Sequence, residues 1–114
     1  MTVVRETFFS VAVRDMPRAT GFYVGALGAT VTFASAAWSS LSIAGVRVGL
    51  ALVDDHGGGP TGLHFAVADL AAVGAAIERA GGRIARAGVE VAPGVVLSEA
   101  LDTEGNGFTL TRSR

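Results

Sequence analysis

FFSVAVRDMPRATGFYVGAL, residues 8–27, is the stretch that decides the fold, because a degraded copy of it, LHFAVADLAAVGAAIERAG, follows at residues 63–81. A separation of 54 residues carries residues 11–16 onto residues 65–70, and that separation is close to half of the 114-residue chain. A repeat on this scale predicts one fold built from two copies of a unit. A functional site is then expected where the two copies face each other.

Composition limits the possible partners. No apolar run approaches the roughly 18 to 20 residues that a membrane span needs, and the segment MTVVRET does not resemble a secretory leader, so we expect a cytoplasmic protein without a membrane partner. The absence of cysteine excludes disulfides and thiolate metal sites. Nine basic residues, all arginine, against ten acidic ones give a net charge of −1, which argues against nucleic acid as a partner.

The first copy is predicted to contain a strand, a helix and three further strands. Asp15 is placed to cap the start of the helix, Pro17 is tolerated in its first turn, and Gly28 supplies a left-handed stop. Alternating and β-branched segments predict the strands. They span residues 7–13, 29–34, 38–44 and 46–53.

The second copy repeats this order after the glycine-rich segment DDHGGGPTG, residues 54–62, which is predicted to be a linker. Asp69 repeats the helix cap and Gly81 the stop. The predicted fold class is α+β, with two tandem βαβββ modules and an open cleft. Strands are predicted at residues 63–67, 83–91, 95–101 and 107–112, in a single domain 1–114 with module one at 1–55 and module two at 63–114.

Strand periodicity predicts which side chains line the cleft. Residues two apart on a strand share a face, and in each predicted strand one face is bulky and apolar while the other is small or polar. The apolar faces should pack under the helices and the other faces should form the cleft. The cleft-facing candidates for ligand contact are Phe8, Ser10, Trp38, Ser40, Arg47, His64 and Thr109.

The segments VAVRDMPRATGFYVGALGA and FAVADLAAVGAAIERAGG, with the closing DTEGNGFTLTR, resemble the vicinal oxygen chelate superfamily. This superfamily holds glyoxalase I, extradiol dioxygenases, fosfomycin resistance enzymes and bleomycin resistance proteins. The resemblance covers nearly the whole chain and implies tandem βαβββ modules with curved sheets that form a cleft, commonly in homodimers. Its most specific parts are the strand-Asp-helix-FY-x-x-x-LG and D-x-x-G-N-x-F patterns.

The resemblance also implies where a metal would bind. Metal-dependent members place His, Gln or Glu on the first and last strands of each module. The matching positions in this chain are Phe8, Gly49, Gly62 and Thr109. Divalent metals at such sites need imidazole nitrogen or carboxylate and amide oxygen, so we expect neither this metal site nor another cofactor.

Two histidines and a glutamate are the titratable groups of interest. His64 is the only catalytic candidate, as a base active near neutral pH, or it simply hydrogen-bonds a neighbouring hydroxyl or cleft water. His56 lies in the linker and is expected to be solvated. Alternation with Leu97 and Leu101 places Glu99 on the core face, where an unpaired carboxylate is costly, unless a bulge turns it or the register differs.

Trp38 and Arg47 each allow two interpretations. Trp38, the only tryptophan, is either a stacking platform for a flat or cationic ligand or an edge residue buried at a dimer contact. Arg47 either meets an anionic ligand or forms a surface salt bridge.

The sequence therefore predicts a homodimeric protein of the bleomycin-resistance type that sequesters an apolar or aromatic, antibiotic-like small molecule without catalysis. The alternative is a lyase or isomerase that uses His64 with no metal or an atypical one. A third possibility is a subunit kept only for assembly or regulation.

Overall fold

The computed structural model describes residues 3–113, which form two similar halves, each with a strand, a helix and three further strands. The first half contains β1 (Phe9–Val13), α1 (Met16–Leu27), β2 (Thr30–Ala34), β3 (Trp38–Ile43) and β4 (Val46–Leu52). The second contains β5 (Gly59–Ala66), α2 (Leu70–Arg79), β6 (Arg83–Ala92), β7 (Val95–Leu101) and β8 (Asn106–Ser113).

Each half forms its own four-stranded mixed sheet. Sheet A has the order β1-β4-β3-β2 and sheet B the order β5-β8-β7-β6. In both sheets the first and last strands of the module are parallel, and the remaining neighbours are antiparallel. The predicted pair of βαβββ modules is confirmed.

The helix boundaries follow from local capping. The Asp15 side chain accepts a hydrogen bond from the Arg18 backbone N–H at 3.1 Å, and the Asp69 side chain accepts one from Ala72 at 3.0 Å. These bonds satisfy amides that the first helical turn cannot pair internally. Gly28 ends α1 in the left-handed conformation with φ 68°, as its position predicted.

The segment between the modules is shorter than predicted. β5 begins at Gly59, four residues before the expected start at Leu63, so the second half of the predicted linker 54–62 is strand. Gly59 pairs with Asn106, and the register then shifts before His64. The shift coincides with Gly62, whose φ of 80° suits a residue without a Cβ. The glycines of this segment are therefore part of an irregular strand as well as of the connection between the modules.

The hydrophobic core lies between the helices and one face of each sheet. Fully buried side chains come from both, including Phe22 and Tyr23 of α1, Val48 and Leu50 of β4, and Leu110 of β8. The two helices contact each other, and β1 contacts β5. We call the opposite face of each sheet, turned away from the helices, its cleft face. None of the helices within residues 3–113 has the length and hydropathy to cross a bilayer.

A buried polar network joins the two modules. The Tyr23 hydroxyl donates to Asp102 Oδ2 at 2.7 Å, while Asp102 Oδ1 accepts from the backbone N–H groups of Glu104 (2.7 Å) and Asn106 (3.0 Å). Burial, followed by the nearby Asp102 charge and this hydrogen bond, raises the pKa of Tyr23 far above its usual value. The tyrosine belongs to α1 and to the FY-x-x-x-LG pattern, and the carboxylate belongs to the β7–β8 turn and to the D-x-x-G-N-x-F pattern. One hydrogen bond therefore joins the two most specific sequence patterns.

Two more contacts extend this network across the module boundary. The Asn106 side-chain amide donates to the Ala12 carbonyl at 3.0 Å, and its oxygen lies 2.6 Å from His56 Nε2. The Asp15 backbone N–H donates to the Glu104 carboxylate at 2.9 Å. The expectation that His56 is merely solvated is wrong, because its half-buried ring is held by the network.

Candidate functional site

Trp38 covers the centre of the cleft face of sheet A. Its ring lies over Gly49, where an added Cβ would overlap the indole. Its Nε1 donates to the hydroxyl of Ser40 at 3.1 Å, and Ser40 is buried. Only a glycine at position 49 permits this arrangement, so the tryptophan and the glycine act as a pair.

Phe8 and Arg47 extend the aromatic surface beside Trp38. The rings of Phe8 and Trp38 meet edge to face with centroids 6.1 Å apart, and the Arg47 guanidinium lies 4.4 Å above the Phe8 ring. Arg47 also forms an ion pair of 2.8 Å with Glu6. The charge of this arginine is therefore partly balanced within the chain. Ser10 lies on the same face and is exposed.

Phe33 is a further aromatic side chain on this face. A register irregularity between Val31 and Phe33 pairs Phe33 with Ser40, and directly opposed residues share a face. The ring is 56% exposed. Sequence alternation along β2 could not reveal this, because the irregularity changes the parity of the strand.

The cleft face of sheet B holds a cavity of about 530 Å³. Its polar side chains are few, and most of its wall is apolar or glycine. The side chains that matter for its chemistry come from four strands: Pro60 and His64 of β5, Ala85 of β6, Glu99 and Leu101 of β7, and Thr109 of β8.

His64 is held between two hydroxyls. Its Nδ1 lies 2.5 Å from Thr109 Oγ1 and its Nε2 lies 3.0 Å from Thr111 Oγ1. The Thr109 hydroxyl also donates to the Leu63 carbonyl at 3.5 Å, which favours a ring that donates from Nδ1 and accepts at Nε2. Both ring nitrogens are thus engaged by the protein itself.

Glu99 lies on the cleft face, so of the placements that the sequence left open the register differs from the one that Leu97 and Leu101 indicated. It pairs directly with Thr109 in an uninterrupted β7–β8 ladder, so no bulge is involved. Ala100, the next residue, is 99% buried in the core. The alternation pattern misled because it assumes that the large apolar residues of a strand face the core. In β7 the large residues Leu97 and Leu101 face the cleft, while its small residues face the core.

The predicted contact residues form two groups. Phe8, Trp38, Ser40 and Arg47 lie together on sheet A, whereas His64 and Thr109 lie together on sheet B. Both cleft faces are turned away from the two contacting helices. The two sheets meet where β1 contacts β5. Sequence reasoning did not include Glu99 among the contact residues. Pairing β7 with β8 residue by residue outward from the turn at residues 102–105 would have placed Glu99 opposite Thr109, on the cleft face.

The four positions that would hold a metal do not fit one. Trp38 occupies the space in front of Gly49, and the other three positions are Phe8, Gly62 and Thr109. Residues 3–113 contain no group of three or more His, Asp or Glu side chains arranged to hold a metal ion. These residues offer hydroxyl and aromatic groups instead of strong ligands.

A larger cavity of about 710 Å³ lies on the opposite side of sheet B, against α2. It exists because α2 buries only Gly74 and Ile77 and leaves small side chains over the sheet. None of the predicted site residues lines it.

Comparison with known proteins agrees with this architecture. Residues 8–111 match the family model of the glyoxalase-like domain. A search of curated proteins finds no match.

Solved structures share the fold over nearly the full chain. TnmS3, an antibiotic binding protein from Streptomyces sp. CB03234, is 24% identical, with a TM-score of 0.75 and coverage of 100% of this chain and 99% of that one. A glyoxalase/bleomycin resistance protein/dioxygenase family enzyme from Burkholderia phytofirmans PsJN is 17% identical, with a TM-score of 0.78 and coverage of 94% and 97%. The fosfomycin resistance protein FosX from Listeria monocytogenes is 15% identical, with a TM-score of 0.78 and coverage of 99% and 96%.

The family match spans both modules, and the paired βαβββ sheets are the fold that these structures share. This chain therefore belongs to the glyoxalase-like domain family of the vicinal oxygen chelate superfamily.

Proposed function

We propose that this protein binds and sequesters a flat, largely apolar small molecule, such as an aromatic antibiotic, on its cleft faces. The observation that carries the proposal is the cavity of about 530 Å³ on sheet B, lined mainly by apolar and glycine residues with a few polar side chains. Small-molecule sites commonly have this character. TnmS3, which shares the fold, is an antibiotic binding protein.

The aromatic surface of sheet A supports the same function. Trp38, Phe8 and the exposed Phe33 present rings on which a flat ligand can stack, at a contribution of about 0.5–1.5 kcal/mol per aromatic pair beyond buried area. Hydroxyls and the His64 ring can then orient the ligand through hydrogen bonds.

A lyase or isomerase is the second candidate, favoured by the presence of His64 and Glu99 in one cavity. Proton transfer needs a base that can reach the substrate. Because both nitrogens of His64 already contact threonine hydroxyls, the base would have to exchange one of these contacts for substrate. Binding without chemistry requires no such exchange and is therefore the function we propose.

The proposal includes a homodimer. Apolar side chains remain exposed on the edge strand β2 of sheet A, among them Val31 and Phe33. A second copy is a suitable cover for such a surface. Sedimentation of a monomer at micromolar concentration would reject this part of the proposal. The cytoplasmic location expected from the sequence stays a prediction.

Titration with neutral planar aromatics of two to four rings, followed by amide NMR, tests the binding function. Saturable shifts at His64, Thr109 and Trp38, with one ligand per chain, support it. A Trp38→Ala variant should weaken binding about ten-fold, because stacking is lost. The matched control is Val24→Ala, since Val24 is exposed on α1, away from both cleft faces. If no compound in the series moves these amides, the proposed function is wrong.

A further inference from the structure

The sheet B cavity contains one carboxylate, and it is not committed elsewhere in the chain. Among residues 3–113, ion pairs join Arg14 to Glu104 and Arg47 to Glu6, and Glu99 takes part in neither. Its carboxylate has no hydrogen-bond partner among the bonds of this part of the chain, and the residue is exposed on the cleft face. Glu99 is thus available to a ligand.

His64, the other ionisable group of the cavity, is less available. Both of its ring nitrogens contact the hydroxyls of Thr109 and Thr111, at 2.5 and 3.0 Å. A ligand that bonds His64 must first replace one of these contacts, whereas a ligand that bonds Glu99 replaces only water. The glutamate therefore offers the larger gain in interaction.

The surroundings of Glu99 strengthen its attraction for positive charge. Leu97 and Leu101 are its nearest neighbours on the same face of β7, and Leu101 lines the cavity. Once a flat ligand excludes water from these leucines, charges in the cavity interact through a medium of lower dielectric constant. Two arginines of β6 oppose this attraction on the same face, because Arg86 pairs with Glu99 and Arg83 pairs with Leu101 across the β6–β7 ladder. Neither forms an ion pair with Glu99 among residues 3–113.

We propose that the cavity selects flat ligands that carry a protonated amine or a similar cationic donor, and that Glu99 is the residue that selects them. This inference rests on the proposed binding function and names the class of ligand. A carboxylate that accepts a charge-assisted hydrogen bond from an ammonium group supplies both affinity and orientation. The aromatic part of the ligand would then lie against the apolar wall.

Three probes with one ring system and different charges test the inference. They are 1-naphthylmethylamine, the neutral 1-naphthalenemethanol and the anionic 1-naphthoic acid, titrated at pH 7 with amide NMR as the readout. We expect the amine to bind about ten-fold tighter than the alcohol and the acid to bind weakest. Glu99→Gln should remove the preference for the amine, so that the amine and the alcohol bind with equal affinity.

Two further variants isolate the position of the charge. Glu78→Gln is the control, because it removes an exposed carboxylate of α2 on the other side of sheet B. It should leave the ratio of the amine and alcohol affinities unchanged. Arg86→Gln removes the opposing charge that pairs directly with Glu99 and should raise the affinity of the amine.

Equal binding of amine and alcohol, or a preference that persists in Glu99→Gln, overturns the inference while the binding function stands. Tightest binding of the acid also overturns it and assigns the selection to the arginines of β6, Arg83 and Arg86.

Discussion

At the scale of single residues, the molecule depends on a few buried polar groups that face one another across the module boundary. Asp102 accepts hydrogen bonds from the Tyr23 hydroxyl, from two backbone amides and from the Asn106 side chain. A buried carboxylate is tolerated when its oxygens are satisfied in this way. The D-x-x-G-N pattern is thus explained by the joining of two modules and requires no role in ligand binding.

Tyr23→Phe removes one donor from this carboxylate, and we expect the free energy of unfolding to fall by about 1.5–3 kcal/mol, the usual contribution of a hydrogen bond to a charged group. Urea denaturation measures the loss. A double-mutant cycle with Asp102→Asn separates the pair from its surroundings. Strictly additive losses in the two single variants would show that the hydroxyl and the carboxylate are not coupled.

Glu104 gives the stability a defined pH dependence. Burial acts to raise its pKa, but the backbone amides of Arg14 and Asp15 and the Arg14 guanidinium outweigh burial and hold the pKa below its ordinary value of 4.5. Between the lowered pKa and 4.5 the folded chain binds fewer protons than the unfolded chain. The stabilisation is therefore complete above that range and is lost as the pH falls through the folded pKa.

The urea midpoint measured between pH 7 and pH 3 should consequently fall in the acid range, and Glu104→Gln should make that decline less steep. At pH 7 the variant should be less stable than the parent, because it loses bonds to a charged acceptor. Glu78→Gln, at an exposed helical position, is the control and should keep the parental profile. An unchanged acid slope in Glu104→Gln would assign the pH dependence to other carboxylates.

At the scale of elements, local chemistry was enough to predict where the helices begin and end, but not which face of a strand each side chain occupies. The caps at Asp15 and Asp69 and the left-handed Gly28 depend on near neighbours in sequence, and all three were predicted. The face of Glu99 depends on which strand lies beside β7 and on the space under α2. Residue size alone pointed to the wrong face, because α2 packs against small side chains.

The two glycines Gly82 and Gly25 should respond oppositely to an added methyl group. A Cβ at Gly82 would lie 2.5 Å from the Phe22 ring and 2.6 Å from the Leu101 carbonyl oxygen, so Gly82→Ala should lower stability by about 1–3 kcal/mol. Gly25 is exposed in α1 and has open space, so Gly25→Ala should raise stability by about 0.5–1 kcal/mol. Thermal unfolding compares them, and a stabilised Gly82→Ala would contradict the packing described between the modules.

At the scale of the whole molecule, each module has its own sheet, but the contacts between them are extensive. The helices touch, β1 touches β5, and both the β7–β8 turn and Asn106 at the start of β8 bond to residues of module one. If module one opened alone, Asp102 would lose the bond from Tyr23 and Glu104 the bonds from Arg14 and Asp15, while their own module stayed folded. The sequence repeat predicted two units, but only tertiary contacts show how tightly they depend on each other.

We therefore expect both modules to unfold in one cooperative transition. Trp38 fluorescence reports on module one, since the chain has a single tryptophan, and the amide signal of Phe108 reports on module two. The two probes should give the same urea midpoint. A lower midpoint for either probe would mean that the polar network does not couple the modules.

The tryptophan laid over Gly49 has a consequence for how the duplicated halves divide their work. Cross-strand pairing makes Trp38 the counterpart of Leu97, and Gly49 the counterpart of Thr109. The indole thus fills, in the first half, the region that is open in the second. The proposed binding function therefore predicts a stoichiometry of one ligand per polypeptide, because a single bulky side chain leaves only the second half open.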